Sequence, residues 1–210
     1  MEITLRLEEE QDHQTVENLT REAFWNIHLP GADEHLLIHH LRNAKEFVKD
    51  LDFVAIFDNE IIGNIVYVEA KISDTEKEHT VLTFGPLSVL PEYQHRGVGT
   101  QLVEHTIKLA KEMAYKAILI YGDPEYYKRF GFREAKDYGI TNMDGKYPAA
   151  LLALELYQDA LHDVKGKFDE GEIYHVDEDE LMEFDKQFPE KEKCTTESQE
   201  KHLAIVDTFL

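Results

Sequence analysis

Between Leu90 and Thr100 the chain reads Leu-Pro-Glu-Tyr-Gln-His-Arg-Gly-Val-Gly-Thr, a polar passage with two glycines. The pattern changes period across it. Upstream, about Thr80 to Val89 reads as a strand. Downstream, from about Gly97 to Ala114, Leu102, Val103, Ile107, Ala110 and Met113 form an apolar helical stripe, with Glu104, Lys108, Lys111 and Glu112 facing water. A strand that passes through glycines directly into a helix calls for a layered α/β fold. The same turn is a binding device. The first N–H groups of a helix have no internal partner, the helix dipole adds positive character, and glycines remove side chains that would block a ligand. A phosphate finds ready-made donors there. His95 and Arg96 add positive charge.

The rest of the pattern extends this reading. Ile3 to Leu7 alternates as a first strand, and Asp12 is placed to cap a helix running to about Asn26. The Leu29-Pro30-Gly31 break precedes a second helix, about Asp33 to Ala44. Phe53 to Phe57, the turn Asp58-Asn59-Glu60, and Ile61 to Ala70 read as a hairpin. Ala117 to Tyr121 is nearly all apolar, like a strand buried on both faces. Pro124 starts a short helix that Gly131 ends, and Ala149 to Leu156 is the last clear strand. The order predicts a mixed, mostly antiparallel sheet flanked by helices.

Beyond Val176 the composition shifts, so residues 1–176 read as the main domain and 177–210 as an acidic helical extension. Asp177-Glu178-Asp179-Glu180 opens one helical pattern, which Pro189 ends; a charged link follows, and Ser198 to Phe209 forms a second. His202, Ile205, Val206 and Phe209 share a face of that pattern, which leaves homo-oligomerisation open as a use for the extension.

A formal net charge of -21 argues against non-specific nucleic-acid binding and against docking on an anionic membrane. It mildly favours cationic substrates, although acidity also serves solubility. Cys194 is the one cysteine, so no intrachain disulfide forms. The start, MEITLRLEEE, has no signal-peptide pattern, and a cytoplasmic location is expected by default. His35 and His39 lie one turn apart without an evident third ligand, so no metal is expected.

Two phosphate-binding motifs fail to fit the glycine loop. Val98-Gly99-Thr100 lacks the lysine of a P-loop, and two glycines late in the chain are not the three of a dinucleotide fold. The arrangement Q-x-R-G-x-G after a strand resembles the pyrophosphate loop of the GNAT acetyltransferase superfamily. Two further blocks support the resemblance, GPLSVLPEYQ from Gly85 and YGDPEYYKRFGF from Tyr121, and together they are similar to the YhbS-like branch of predicted N-acetyltransferases.

That resemblance implies acetyl-CoA as cosubstrate and transfer of its acetyl group to an amine, most simply of a small molecule, by direct attack. It implies that Leu87, Ser88, Val89, Gln94, His95, Arg96, Gly97, Val98, Gly99 and Thr100 form the coenzyme site. In the family the two central strands part and the pantetheine arm lies between them, which would engage the backbone of Leu87 and Val89. Gly85-Pro86 is placed to help the strands part, because proline breaks the ladder. Tyr127, four residues before Gly131-Phe132, matches the position whose hydroxyl meets the coenzyme sulfur, which makes it the candidate general acid. An acceptor alkyl amine, with a pKa of roughly 10.4, must also lose a proton. No base is evident in Val81 to Val89; Glu69, Glu78 and Asp123 are candidates, or a water chain serves instead, and Asp123 is better read as the cap of the helix at Pro124. The rival reading is a non-catalytic acyl-CoA sensor.

Overall fold

A computed structural model describes residues 1–206 and 208–210. Nine strands form one sheet: β1 (Thr4–Leu7), β2 (Phe53–Phe57), β3 (Glu60–Ser73), β4 (Glu78–Val89), β5 (Ala117–Tyr121), β6 (Arg133–Glu134), β7 (Ile140–Thr141), β8 (Leu151–Glu155) and β9 (Gly166–Asp169). The main order is β1-β2-β3-β4-β5-β8-β6, with β9 joining β3 and β7. Among the described residues only β4–β5 and β7–β9 run parallel, so the sheet is mixed and mostly antiparallel, as the sequence predicts.

Six α-helices occur among the described residues: α1 (His13–Phe24), α2 (Glu34–Leu41), α3 (Val98–Glu112), α4 (Pro124–Tyr127), α5 (Glu178–Phe184) and α6 (Glu197–Val206). Helix α3 covers one face, where Val98, Leu102, Val103 and Ala110 pack on Phe53, Ile62, Ile65, Tyr67 and Leu82. Helices α1 and α2 cover the other, where Val16, Ile38 and Leu41 meet Val54, Val66 and Val68. Strands β2 and β3 therefore send alternate side chains to two dry layers. No helix among the described residues is long and apolar enough to cross a membrane.

Several expected boundaries move. Asp12 does not cap α1: its carboxylate closes the preceding turn by accepting from Glu9 N (2.9 Å) and pairs with Arg6. Helix α2 stops at Leu41 rather than Ala44, because the chain turns there to bring Phe47 beside Val68. Ala149–Leu156 is not the last strand, since β9 follows and pairs with the far end of β3. The final helix ends at Val206, and Phe209 instead bridges to Pro148.

Part of the extension is folded onto α1 and α2. The Arg21 guanidinium is buried, bonds Asp185 through Nε (2.6 Å) and Nη2 (3.3 Å), and stacks 4.1 Å from the centre of the Trp25 ring. Trp25 Nε1 donates to Glu192 O, and Asn26 is met by Glu192, Cys194, Thr196 and Gln199. Met182, Leu203, Val206, Phe209 and Leu210 remain exposed.

Candidate active site

Strands β4 and β5 share one registered pair, Leu82 with Ile118, and then part. At the point of departure β4 also carries an extra residue against β3, since Ile65 faces Leu87 but Tyr67 faces Phe84. Gly85-Pro86 thus lies opposite Val66 as a bulge, and a bulge bends its strand. Beyond it the ladder to β3 resumes, with Leu90 N donating to Ile62 O at 3.0 Å. Antiparallel alternation then turns the Ser88 backbone toward β3 and the backbone groups of Leu87 and Val89 outward, into the gap left by β5. The Val89 carbonyl accepts from Gln94 Nε2 there at 3.1 Å, which folds the loop back over the strand.

The glycine loop closes this gap at one end. Gly97 caps α3 in a left-handed conformation (φ 86°), preceded by His95 at φ 58°. A Cβ placed on Gly97 would meet nothing within 4 Å, so open space lies above the first helical N–H groups. Val98 is buried and fixes the helix start against the sheet. Gly99 is bare for a different reason: a Cβ there would lie 3.1 Å from the Tyr126 hydroxyl.

Tyr127 stands at the other end. Its ring packs 5.8 Å from Phe84, 5.7 Å from Phe132 and 4.9 Å from Tyr126, between ring centres. It lies directly on the backbone of Gly122, where an added Cβ would approach Cε2 to 2.4 Å. Burial, with smaller contributions from Tyr126 and Asp123, raises the Tyr127 pKa above that of an ordinary phenol. Like any phenol, the hydroxyl is protonated at neutral pH and can donate.

A cleft of about 750 Å3 joins these parts. Of the expected coenzyme residues it brings together Leu87, Val89, Gln94, His95, Gly97, Val98, Gly99 and Thr100, with Tyr127 across from them. Two expected residues stand apart. The Ser88 hydroxyl is buried on the other face, 3.0 Å from Thr20 Oγ1 of α1. The Arg96 side chain is exposed and lies over Tyr93, 5.7 Å from its ring centre. Phe24 of α1, Ile27 just after it, Tyr93, Asp123, Tyr126 and Arg129 are among the other residues of the wall.

The candidate bases are all otherwise engaged. Glu69 accepts from Tyr115 (2.7 Å) and Glu78 pairs with Lys71 (2.7 Å), both on the stretch of β3–β4 remote from the glycine loop. Asp123 lines the cleft, but its carboxylate caps α4 by accepting from Glu125 N (2.8 Å). His35 is buried, with Nε2 3.2 Å from Asp185 Oδ1. His39 pairs with Glu17, and no group of three ligating side chains occurs among the described residues.

Comparison with known proteins agrees with this arrangement. Residues 49–134 match the acetyltransferase (GNAT) domain. Over 163 residues the chain is 27% identical to the uncharacterized N-acetyltransferase YhbS of Escherichia coli K12, covering 77% of this chain and 92% of that one. The YhbS crystal structure, in complex with CoA, superposes with a TM-score of 0.72 at 25% identity, covering 82% of this chain and 91% of YhbS. An N-alpha-acetyltransferase of Sulfurisphaera tokodaii is 30% identical over 115 residues, 50% of this chain and 68% of the relative. The match to another uncharacterized N-acetyltransferase of E. coli K12, YjhQ, is 29% identical over 82 residues, 39% of this chain and 45% of that protein, so the chain spans less than half its length.

Proposed function

The chain belongs to the GNAT acetyltransferase family, and on that premise we propose that it transfers the acetyl group of acetyl-CoA to the amine of a small molecule. Acetyl-CoA as cosubstrate and acyl transfer as the reaction follow from the family. The small acceptor and the roles of individual residues are our finer reading. The observation that carries it is the single cleft linking the glycine loop, the outward edge of β4 and Tyr127.

Each part has a physical task. The leading N–H groups of α3, with open space above Gly97, receive the pyrophosphate. The outward backbone groups of Leu87 and Val89 pair with the pantetheine amides as a neighbouring strand would. The Leu87 N–H is the donor for the oxygen that becomes negative as the amine attacks. Tyr127, a phenol and so protonated at neutral pH, gives its proton to the departing sulfur. Bound acetyl-CoA supplies an activated acyl group, so the protein has only to orient, polarise and move protons.

Thiol release from acetyl-CoA, measured across alkyl amines, polyamines, aminoglycosides and amino acids, tests the reading. Release that depends on a small amine is expected. Coenzyme-induced thermal stabilisation without release from any amine would replace it with the sensor reading. Gly97→Glu is expected to abolish that stabilisation, by placing a side chain and a negative charge over the helix start. Its retention would remove the loop from the coenzyme site.

A further inference from the structure

Helix α1 ends in a tight turn that the cleft uses. Phe24 O accepts from Ile27 N at 2.9 Å, Trp25 has φ -56° and ψ 117°, and Asn26 has φ 61°. These angles make a type II turn, whose third position calls for a left-handed residue, glycine or asparagine. The two ends of the turn, Phe24 and Ile27, line the cleft together with Ala23. Neither Phe24 nor Ile27 belongs to the apolar core of the described residues, so the core does not fix this wall.

The C-terminal extension holds it instead. Asn26 O accepts from Thr196 Oγ1 at 2.7 Å, from Gln199 Nε2 at 3.2 Å and from Ser198 Oγ at 3.3 Å. Asn26 Oδ1 accepts from Gly31 N at 2.8 Å and from Cys194 N at 3.1 Å, while Nδ2 donates to Glu192 O at 3.1 Å. Its own N–H donates to Gly31 O at 2.7 Å, so no polar group of Asn26 is left over. Trp25 Nε1 donates to the same Glu192 O at 3.0 Å. Lys193 crosses Gly31, where an added Cβ would lie 3.1 Å from its Cε. The Gln199 amide is buried and fully used, since Nε2 also meets Cys194 O at 3.0 Å and Oε1 accepts from Thr196 N at 3.3 Å. A network of this kind fixes a turn more firmly than apolar contact does, because any shift leaves buried polar groups unpaired.

We propose that Asn26 and the segment from Glu192 to Gln199 are positioning residues for the coenzyme: they hold Phe24 and Ile27 in place against the pantetheine arm of acetyl-CoA. This rests on the coenzyme reading of the cleft given above, and it adds residues that act on the ligand only through others.

The chemistry of the arm explains why such a wall is needed. Its amides pair with the outward backbone groups of Leu87 and Val89, but its methylene and dimethyl carbons need an apolar surface. Ala23, Phe24 and Ile27 are the apolar surface that the α1 side of the cleft provides. A wall already in place when the coenzyme arrives removes the ordering cost that a loose turn would impose on binding.

The test is CoA affinity by calorimetry, read beside the thermal midpoint of the CoA-free protein. Asn26→Gly keeps a residue that tolerates the left-handed turn and loses the side-chain bonds. Thr196→Val loses the hydroxyl that meets Asn26 O and keeps the shape. Each should raise the Kd for CoA about tenfold, whereas Thr196→Ser, which keeps the hydroxyl, should bind as the wild type does. The route through the wall is read in the double variant Phe24→Ala, Ile27→Ala. CoA binding is weaker there, and adding Asn26→Gly should change it by less than about twofold. A full further loss in that background, or a lowered thermal midpoint with native Kd, would overturn the proposal. So would native CoA affinity joined to a raised KM for the acceptor amine, which would give the wall to the acceptor. A wild type that binds no CoA would overturn the coenzyme reading of the cleft, and the proposal with it.

Discussion

A Cβ on Gly122 would lie 2.4 Å from Cε2 and 2.7 Å from Cδ2 of Tyr127, so the ring keeps its place only above bare backbone. Two substitutions separate the hydroxyl from its placement. Tyr127→Phe keeps the packing on Phe84 and Phe132 and loses the proton donor. Its kcat should fall about 10- to 100-fold with unchanged coenzyme affinity, as read by steady-state kinetics and a thermal shift with CoA. Gly122→Ala keeps the hydroxyl and displaces the ring, so kcat should fall comparably; unchanged kcat would mean that the ring position is immaterial. Tyr127 is legible in the sequence because its spacing from Gly131-Phe132 is a local pattern. The role of Gly122 is not, since only the folded chain shows which ring crosses its backbone.

At the scale of elements, the glycine loop depends on how closely α3 lies on β3. A Cβ on Gly63 would sit 3.0 Å from Val98 Cγ1, 3.1 Å from Ser88 O and 3.2 Å from Leu102 Cδ1. The bare residue lets the first turn of α3 settle on the sheet, which aims its N–H groups along the gap beside β4. Gly63→Val should therefore cost about 1–3 kcal/mol of stability in urea unfolding. It should also weaken CoA binding although residue 63 is absent from the cleft; calorimetry showing native affinity would break that link. The long elements were readable for a physical reason. Strand β3 and helix α3 each run long enough to display a period, and α3 has its glycine start. Strands β6, β7 and β9 have two to four residues, too few for alternation to register. They exist because β8 and β3 offer them edges, which is information carried by the rest of the sheet. Asp12 shows the converse. Its residue type suits a cap, yet its position relative to Arg6 and Glu9 assigns it to the turn before the helix.

The whole molecule joins its last fifth to its first helices through charges that chain order separates. Arg21 and His35 are buried, and Asp185, 164 residues beyond Arg21, is the carboxylate that meets both. Burial opposes the charge on Asp185, but the hydrogen bond and charge of Arg21 outweigh it and hold its pKa below the usual value. Asp185→Ala leaves Arg21 buried without its partner and should cost about 3–5 kcal/mol. Because α1 leads into Phe24 and Ile27, CoA affinity should fall as well. His35 adds a pH dependence whose sign follows from its surroundings. Burial lowers its pKa despite Asp185, so between that lowered value and about 6.5 the unfolded chain binds the extra proton. Its contribution is complete above pH of about 6.5 and is lost as pH falls below that. The ring lies among Phe184 and Phe188, at 5.6 and 5.1 Å, in surroundings that would accept an aromatic hydrocarbon. His35→Phe should therefore flatten the decline of the urea midpoint between pH 7 and pH 5 relative to wild type. Other histidines and the buried carboxylates titrate in both proteins, so the difference between the two curves isolates His35. Parallel curves would show that His35 carries no part of the acid sensitivity, and would leave the tie between the extension and the first two helices to pairs such as Arg21–Asp185 and Lys191–Glu22.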